Sequence, residues 1–149
     1  MKRIFSFLFC YLLAISVYAA PVTVINTPKA AKPLGAYSQG IVTDLSKGKL
    51  LFISGQVAID PKTGKLHEED IKIATRYTLN NIEAILKAAG SDWQYVVRMD
   101  VFLKDFNDWD GMNEVYIKRF AVGHYPARQT VQVGMENLVE ISAIAMVPN

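Results

Sequence analysis

The chain has 149 residues, 16 of them Lys or Arg and 14 Asp or Glu, with one cysteine and two histidines. That length suits one domain able to bury a core without disulfides. Setting aside Lys2 and Arg3, the remainder carries 14 basic and 14 acidic residues. Such a neutral body disfavours phosphate-backbone binding, which needs several unpaired Lys and Arg side chains on one surface.

The first 19 residues predict an address rather than structure. Lys2 and Arg3 form a positive start, Ile4 to Val17 is an apolar run, and Val17-Tyr18-Ala19 presents small residues at the −3 and −1 positions of a cleavage site. About 14 helical residues reach only about 21 Å, short of a bilayer core of roughly 30 Å. The expectation is therefore a cleaved signal peptide over 1–19, a mature domain over 20–149, no membrane association after cleavage, and a periplasmic or secreted location. Cys10 lies inside the leader, so the mature chain has no thiol for catalysis, disulfides or metal ligation.

Along the mature chain, Val22 to Ile25 reads as a short edge strand. Tyr37–Thr43 and Lys49–Ser54 read as a hairpin around Leu45-Ser46-Lys47-Gly48. Asp60-Pro61-Lys62-Thr63-Gly64 is a turn, with Pro presetting φ and Gly free to take positive φ. From about Glu69 to Ala89, Ile71, Ala74, Thr78, Ile82 and Ile85 recur at helical spacing, and Gly90 stands at the C-cap. Tyr95–Lys104 alternates as a strand with Val97, Met99, Val101 and Leu103 on one side. Asn107 or Asp108 caps a second helix whose stripe is Trp109, Met112, Tyr116 and Phe120. Two strands close the chain, Arg128–Val133 and Leu138–Val147. The order predicts a two-layer α+β domain with a mixed sheet and two helices packed on one face.

Alternation then assigns the sheet faces. Val131, Val133, Val139, Ile141 and Ala143 are expected under the helices, with Arg128, Thr130, Gln132, Glu140 and Ser142 on the opposite face. Phe52, Ser54 and Gln56 form a similar half-polar set. A face neither apolar nor strongly charged suits a subunit interface or a wet cleft, and a closed ring of identical chains satisfies both.

Dinucleotide, P-loop and nucleophile-elbow motifs are absent. His67 and His124 lack metal-ligand spacing and read as solvated loop residues. Asp105, Asp108 and Asp110 crowd one segment, but Trp109 and Tyr116 stand where a calcium loop needs oxygen ligands, so the cluster reads as an acidic helix N-terminus. No metal site is expected. Trp93 and Trp109 read as packing residues. Arg128, opening a strand after Tyr125-Pro126-Ala127, offers bidentate capture of a small carboxylate. Glu140, between Val139 and Ile141, is placed to move a proton. From spacing alone, a structural ion pair, or two exposed strand-edge charges, accounts for both residues as well.

Seven blocks in order resemble the RidA/YjgF family: Gly35-Ala36-Tyr37-Ser38-Gln39-Gly40, Ile53-Ser54-Gly55-Gln56, Asp60-Pro61 with Thr63-Gly64, Asn81–Leu86 with Ala88-Ala89-Gly90, Val101–Asp105, Tyr125–Arg128 and Val139–Ala145. They span about Asn26 to Val147. The resemblance implies a chorismate-mutase-like fold, a homotrimer with clefts between subunits, and cofactor-independent hydrolysis of enamine/imine acids such as 2-aminoacrylate to a 2-oxo acid and ammonia. It implies that Arg128 clamps the substrate carboxylate with help from the Gly55 backbone. Glu140 would activate water and manage protons at the imine nitrogen. Tyr37, Ser54, Asn113 and Thr130 would line the pocket. Four features depart from the pattern: a short turn at Gly134–Asn137, Ser142 in place of a second glutamate, Thr130 where some members have cysteine, and the leader on a family that is mostly cytosolic. A non-catalytic trimeric module binding carboxylated ligands is the alternative. A nuclease role, ascribed to some members, fits the neutral charge poorly.

Overall fold

The computed structural model describes residues 22–29, 32–33 and 35–149; the expected leader over 1–19 lies outside them. A four-stranded sheet is ordered β3-β6-β4-β5, from β3 (Gly48–Gln56), β4 (Val96–Leu103), β5 (Ala127–Gln132) and β6 (Val139–Pro148). β6 runs antiparallel to both β3 and β4, whereas β4 and β5 are parallel. Helix α1 (Ile71–Ala88) links β3 to β4, and α2 (Trp109–Tyr116) links β4 to β5. Both links are crossovers between strands of like direction, and both helices pack against the same sheet face. The expected two-layer α+β arrangement is therefore observed.

Local chemistry sets the ends of α1. The Asp70 carboxylate accepts from the Lys72 and Ile73 amides at 2.7 and 2.9 Å, satisfying N–H groups with no partner inside the helix. At the other end Gly90 takes φ +77°, and the Ser91 amide donates back to Leu86 O at 2.8 Å. Between the layers lie Leu79, Ile82 and Leu86 of α1, Met112 and Tyr116 of α2, Met99, Val101 and Leu103 of β4, and Val139 and Ile141 of β6.

Three expectations are corrected. The expected hairpin of Tyr37–Thr43 with Lys49–Ser54 does not form. β2 (Gly40–Thr43) pairs with β1 (Val22–Ile25), β3 pairs with β6, and Leu45–Lys47 is a single 3₁₀ turn capped by Asp44. In β4, an irregularity between Val96 and Arg98 puts Val96 rather than Val97 in the core.

The third correction concerns β5. Arg128, Thr130 and Gln132 pair with Met99, Val101 and Leu103 and share their helix-facing side, whereas Val131 points away and is 38% exposed. Hydrophobicity alone assigns the valines inward. The crossover through α2 fixes the opposite register, and α2 covers the arginine with aromatic rings and an amide. Glu140 and Ser142 do lie on the open face as expected, since their neighbours Val139, Ile141 and Ala143 are buried.

Candidate active site

Arg128 is held from three sides. Its Nη1 donates to Asn113 Oδ1 at 2.9 Å, and its guanidinium carbon lies 4.6 Å from the Tyr116 ring centre and 5.1 Å from that of Trp109. Trp109, Asn113 and Tyr116 are spaced four and three apart, so one face of α2 presents all three to the arginine. Gly35 closes the fourth side: a Cβ built there would sit 3.7 Å from Arg128 Nη2 and 3.9 Å from Trp109 Cζ2. That loop is tied down by the Ser38 amide on Pro126 O at 3.0 Å and by the Ser38 hydroxyl on Tyr125 O. Tyr37 is thereby half-buried next to the strand that carries Arg128.

The cleft holds unused hydrogen-bonding capacity. Thr130 Oγ1 is buried without a hydrogen-bond partner among the described residues, and Arg128 Nη2 and the Tyr116 hydroxyl, also buried, make no well-formed hydrogen bond there although the two side chains interact with each other. Burial pulls the arginine below its ordinary pKa, opposed by the Tyr116 and Tyr37 phenols, and the side chain remains a cation. Burial likewise pushes the Tyr116 phenol upward, so it stays a neutral donor. An unpaired buried donor costs about 1–3 kcal/mol and a charged one more. A ligand carboxylate at Nη2 removes that cost.

Glu140 occupies a second locus. The β3–β6 register slips between Ile53 and Gln56, placing an extra residue opposite Glu140's strand. A Cβ on Gly55 would overlap Glu140 Oε1 and fall 2.7 Å from its Cδ, so only glycine leaves room for the carboxylate. Across β4, Glu140 pairs with Phe102. Ser54, exposed beside Gly55, is on hand at this locus.

The residues read from the sequence thus fall into two sets. Arg128, Asn113, Thr130 and Tyr37 gather under α2, while Glu140, Gly55 and Ser54 gather on the open face. Alternation places Arg128 on the half-polar face with Glu140, and the structure instead separates them by the thickness of the sheet. Trp109 and Tyr116 join the site without any motif that marks them for it, and Gly35, which opens the Gly35–Gly40 block, joins it without a role read from the sequence. The one available signal is Asn113, a polar residue inside an otherwise apolar stripe.

The other residues singled out by the sequence are structural. His67 is not solvated: it stacks on Tyr77 with ring centres 4.0 Å apart, and its Nδ1 lies 3.2 Å from Glu69. His124 is exposed as expected, and Trp93 is buried in the core. Asp105 caps a 3₁₀ turn by accepting from the Asn107 amide at 2.9 Å. Among the described residues no three His, Cys, Asp or Glu side chains converge as metal ligands, and no helix is long and apolar enough to cross a membrane.

The model of the endoribonuclease L-PSP family matches residues 27–147. A RutC family protein of Pyrococcus horikoshii is 49% identical over 125 residues, covering 82% of this chain and 95% of that protein. The 2-iminobutanoate/2-iminopropanoate deaminase of Rattus norvegicus is 39% identical, covering 83% of this chain and 88% of its own length. Among solved structures, RidA from the Antarctic bacterium Psychrobacter is 36% identical with a TM-score of 0.63, covering 84% of this chain and 99% of that one. Escherichia coli TdcF with bound serine is 38% identical with a TM-score of 0.60, covering 83% and 98%. The chain belongs to the RidA/YjgF family, the group described by the endoribonuclease L-PSP model.

Proposed function

We propose that this protein hydrolyses reactive enamine/imine acids of the 2-aminoacrylate kind to 2-oxo acids and ammonia, without a cofactor. The observation that carries the reading is the buried Arg128 guanidinium, whose Nη1 is held by Asn113 and whose Nη2 faces the Gly35 loop without a well-formed hydrogen bond. A planar cation fixed in this way binds a carboxylate with defined orientation. The imine tautomer has an electrophilic carbon, so water positioned by a carboxylate suffices for attack. Water oxygen bonds to that carbon, its protons pass by way of Glu140 to nitrogen, the C–N bond breaks, and ammonia leaves behind a 2-oxo acid. Thr130 lines the pocket, and Tyr37, with Ser54 and the Gly55 backbone, completes it.

Arg128 and Glu140 open on opposite faces, so one chain does not present both to a small substrate. In our reading the chain assembles as a homotrimer in which Arg128 of one copy and Glu140 of the next share a cleft. The open face supports this assembly: Phe52 at one edge of the sheet is 69% exposed, and Val131 at the other edge is 38% exposed. The chain is exported after removal of residues 1–19, and the trimer acts outside the cytoplasm. Proteins homologous to this one include 2-iminobutanoate/2-iminopropanoate deaminases, which supports the chemistry.

The test is pyruvate release from 2-aminoacrylate generated in situ, using the chain from Ala20 onward. Acceleration that is lost in both Arg128→Ala and Glu140→Ala supports deamination. A second reading, a carboxylate-binding module without turnover, is favoured by the serine bound in the E. coli TdcF structure. Serine binding by an inactive protein would support that module instead.

A further inference from the structure

Beside Arg128 two aromatic rings follow one another toward the surface, Trp109 and then Phe106, and form a shelf. The Trp109 ring lies against the guanidinium, 5.1 Å from its carbon, and its Cζ2 neighbours the same Gly35 position as the buried Nη2. Trp109 is followed by Phe106, with ring centres 5.1 Å apart and planes inclined by 35°. Phe106 is 47% exposed although large and apolar. Its backbone is fixed, because the Phe106 amide donates to Gln132 Oε1 at 3.1 Å, and Gln132 belongs to the same inward row of β5 as Arg128 and Thr130. Asp105 holds the turn from the other side through the Asn107 amide. The shelf is therefore preformed and anchored to the strand that carries the carboxylate clamp.

On the deaminase reading, whose Arg128 clamp it assumes, we propose that the shelf selects imino acids bearing an apolar, aromatic-sized side chain, such as the imine of phenylalanine, over the imine of alanine. Nη1 is occupied by Asn113, so a substrate carboxylate engages Nη2 on the side where Gly35 and Trp109 meet. A substituent leaving that point along Trp109 covers its ring and then Phe106. A methyl group reaches neither. Offset and tilted ring contacts add to the gain from buried area, and pocket contacts of this size separate substrates by about tenfold or more in kcat/KM.

An L-amino-acid oxidase supplies both imines under one set of conditions, and loss of each imine is followed with and without the protein from Ala20 onward. The expected result is a kcat/KM for the phenylalanine imine about tenfold above that for the alanine imine. Phe106→Ala and Phe106→Leu should lower that ratio, the first about fivefold or more, with unchanged melting temperature because Phe106 is not in the core. A preference for the alanine imine, or a ratio untouched by either variant, overturns the proposal while leaving deamination standing. Failure to accelerate either imine overturns the deaminase reading and this inference together.

Discussion

Arg128 and Glu140 belong to one four-stranded sheet yet project from opposite faces of it, with β4 between their strands. Arg128 shares the buried row of Met99 and Val101, whereas Glu140 lies opposite Phe102 on the uncovered side. The parallel β4–β5 pairing and the antiparallel β4–β6 pairing fix this placement, and no rotamer change carries a side chain through a packed sheet. A site that uses both groups on one small molecule therefore draws them from two copies of the chain.

Gly55→Ala tests the Glu140 locus without touching Glu140. The new methyl group meets only the end of a flexible side chain, overlapping Oε1 and lying 3.0 Å from Cγ. The protein should fold with nearly unchanged melting temperature, while deamination falls as far as in Glu140→Gln. Circular dichroism and the pyruvate assay on the same preparations check both halves. A folded variant with full activity contradicts the role given to Glu140.

Asn113→Ala releases Nη1 of Arg128. Hydrogen bonds to charged groups contribute about 1.5–3 kcal/mol, so KM for a carboxylated imine should rise by roughly tenfold or more. Because Asn113 orients the clamp and does not meet the reacting carbon, kcat should change less than KM. Arg128→Lys should not restore binding either, since an ammonium lacks the two-pronged geometry and the stacking on Trp109 and Tyr116.

Asp92 provides a pH-dependent test of stability. Its carboxyl is held below the ordinary 3.8, first by the Lys87 ammonium at 2.5 Å and then by the Trp93 amide at 2.7 Å. A depressed folded-state value contributes stability above the ordinary pKa and loses it as pH falls through the folded value. Asn in its place keeps an acceptor for Trp93 but loses the charge. Asp92→Asn should therefore be less stable at neutral pH, by about 0.2–1 kcal/mol for so exposed a pair. The difference should close on acidification below pH 3.8, and also in high salt. Urea unfolding across that pH range provides the comparison.

Ile82→Ala probes the interlayer core. Ile82 has no exposed surface and packs with the other buried residues between α1 and the sheet. The loss should be about 2–5 kcal/mol, read from urea unfolding, with the spread set by how far the cavity collapses.

Much of this fold is legible in local sequence. Asp70, Gly90 and the apolar stripe bound α1 through capping and periodicity, both short-range effects, and Val139-Glu140-Ile141 announces a strand with one buried side. Pairing is a different matter. Nothing within Gly40–Ser54 reveals that β2 pairs with β1 and β3 with β6, because partner choice depends on contacts distant in sequence. The same limit reverses β5. Its valines predict an inward apolar row, but the crossover through α2 turns Arg128 and Thr130 inward, where Asn113, Trp109 and Tyr116 make a polar row tolerable. The individual site residues are legible in motifs, while their division between two faces is legible only in the topology.

The most direct test of a shared site mixes two inactive proteins. Arg128→Ala and Glu140→Ala chains, each purified, are combined in equal amounts, dissociated and reassembled, then assayed with 2-aminoacrylate. Random reassembly into rings leaves about a quarter of the clefts with an intact Arg128 from one chain and an intact Glu140 from its neighbour. Activity should return to about that fraction of the original level. A mixture that reassembles but stays as inactive as its components, beside a fully active unmodified protein, contradicts a shared site.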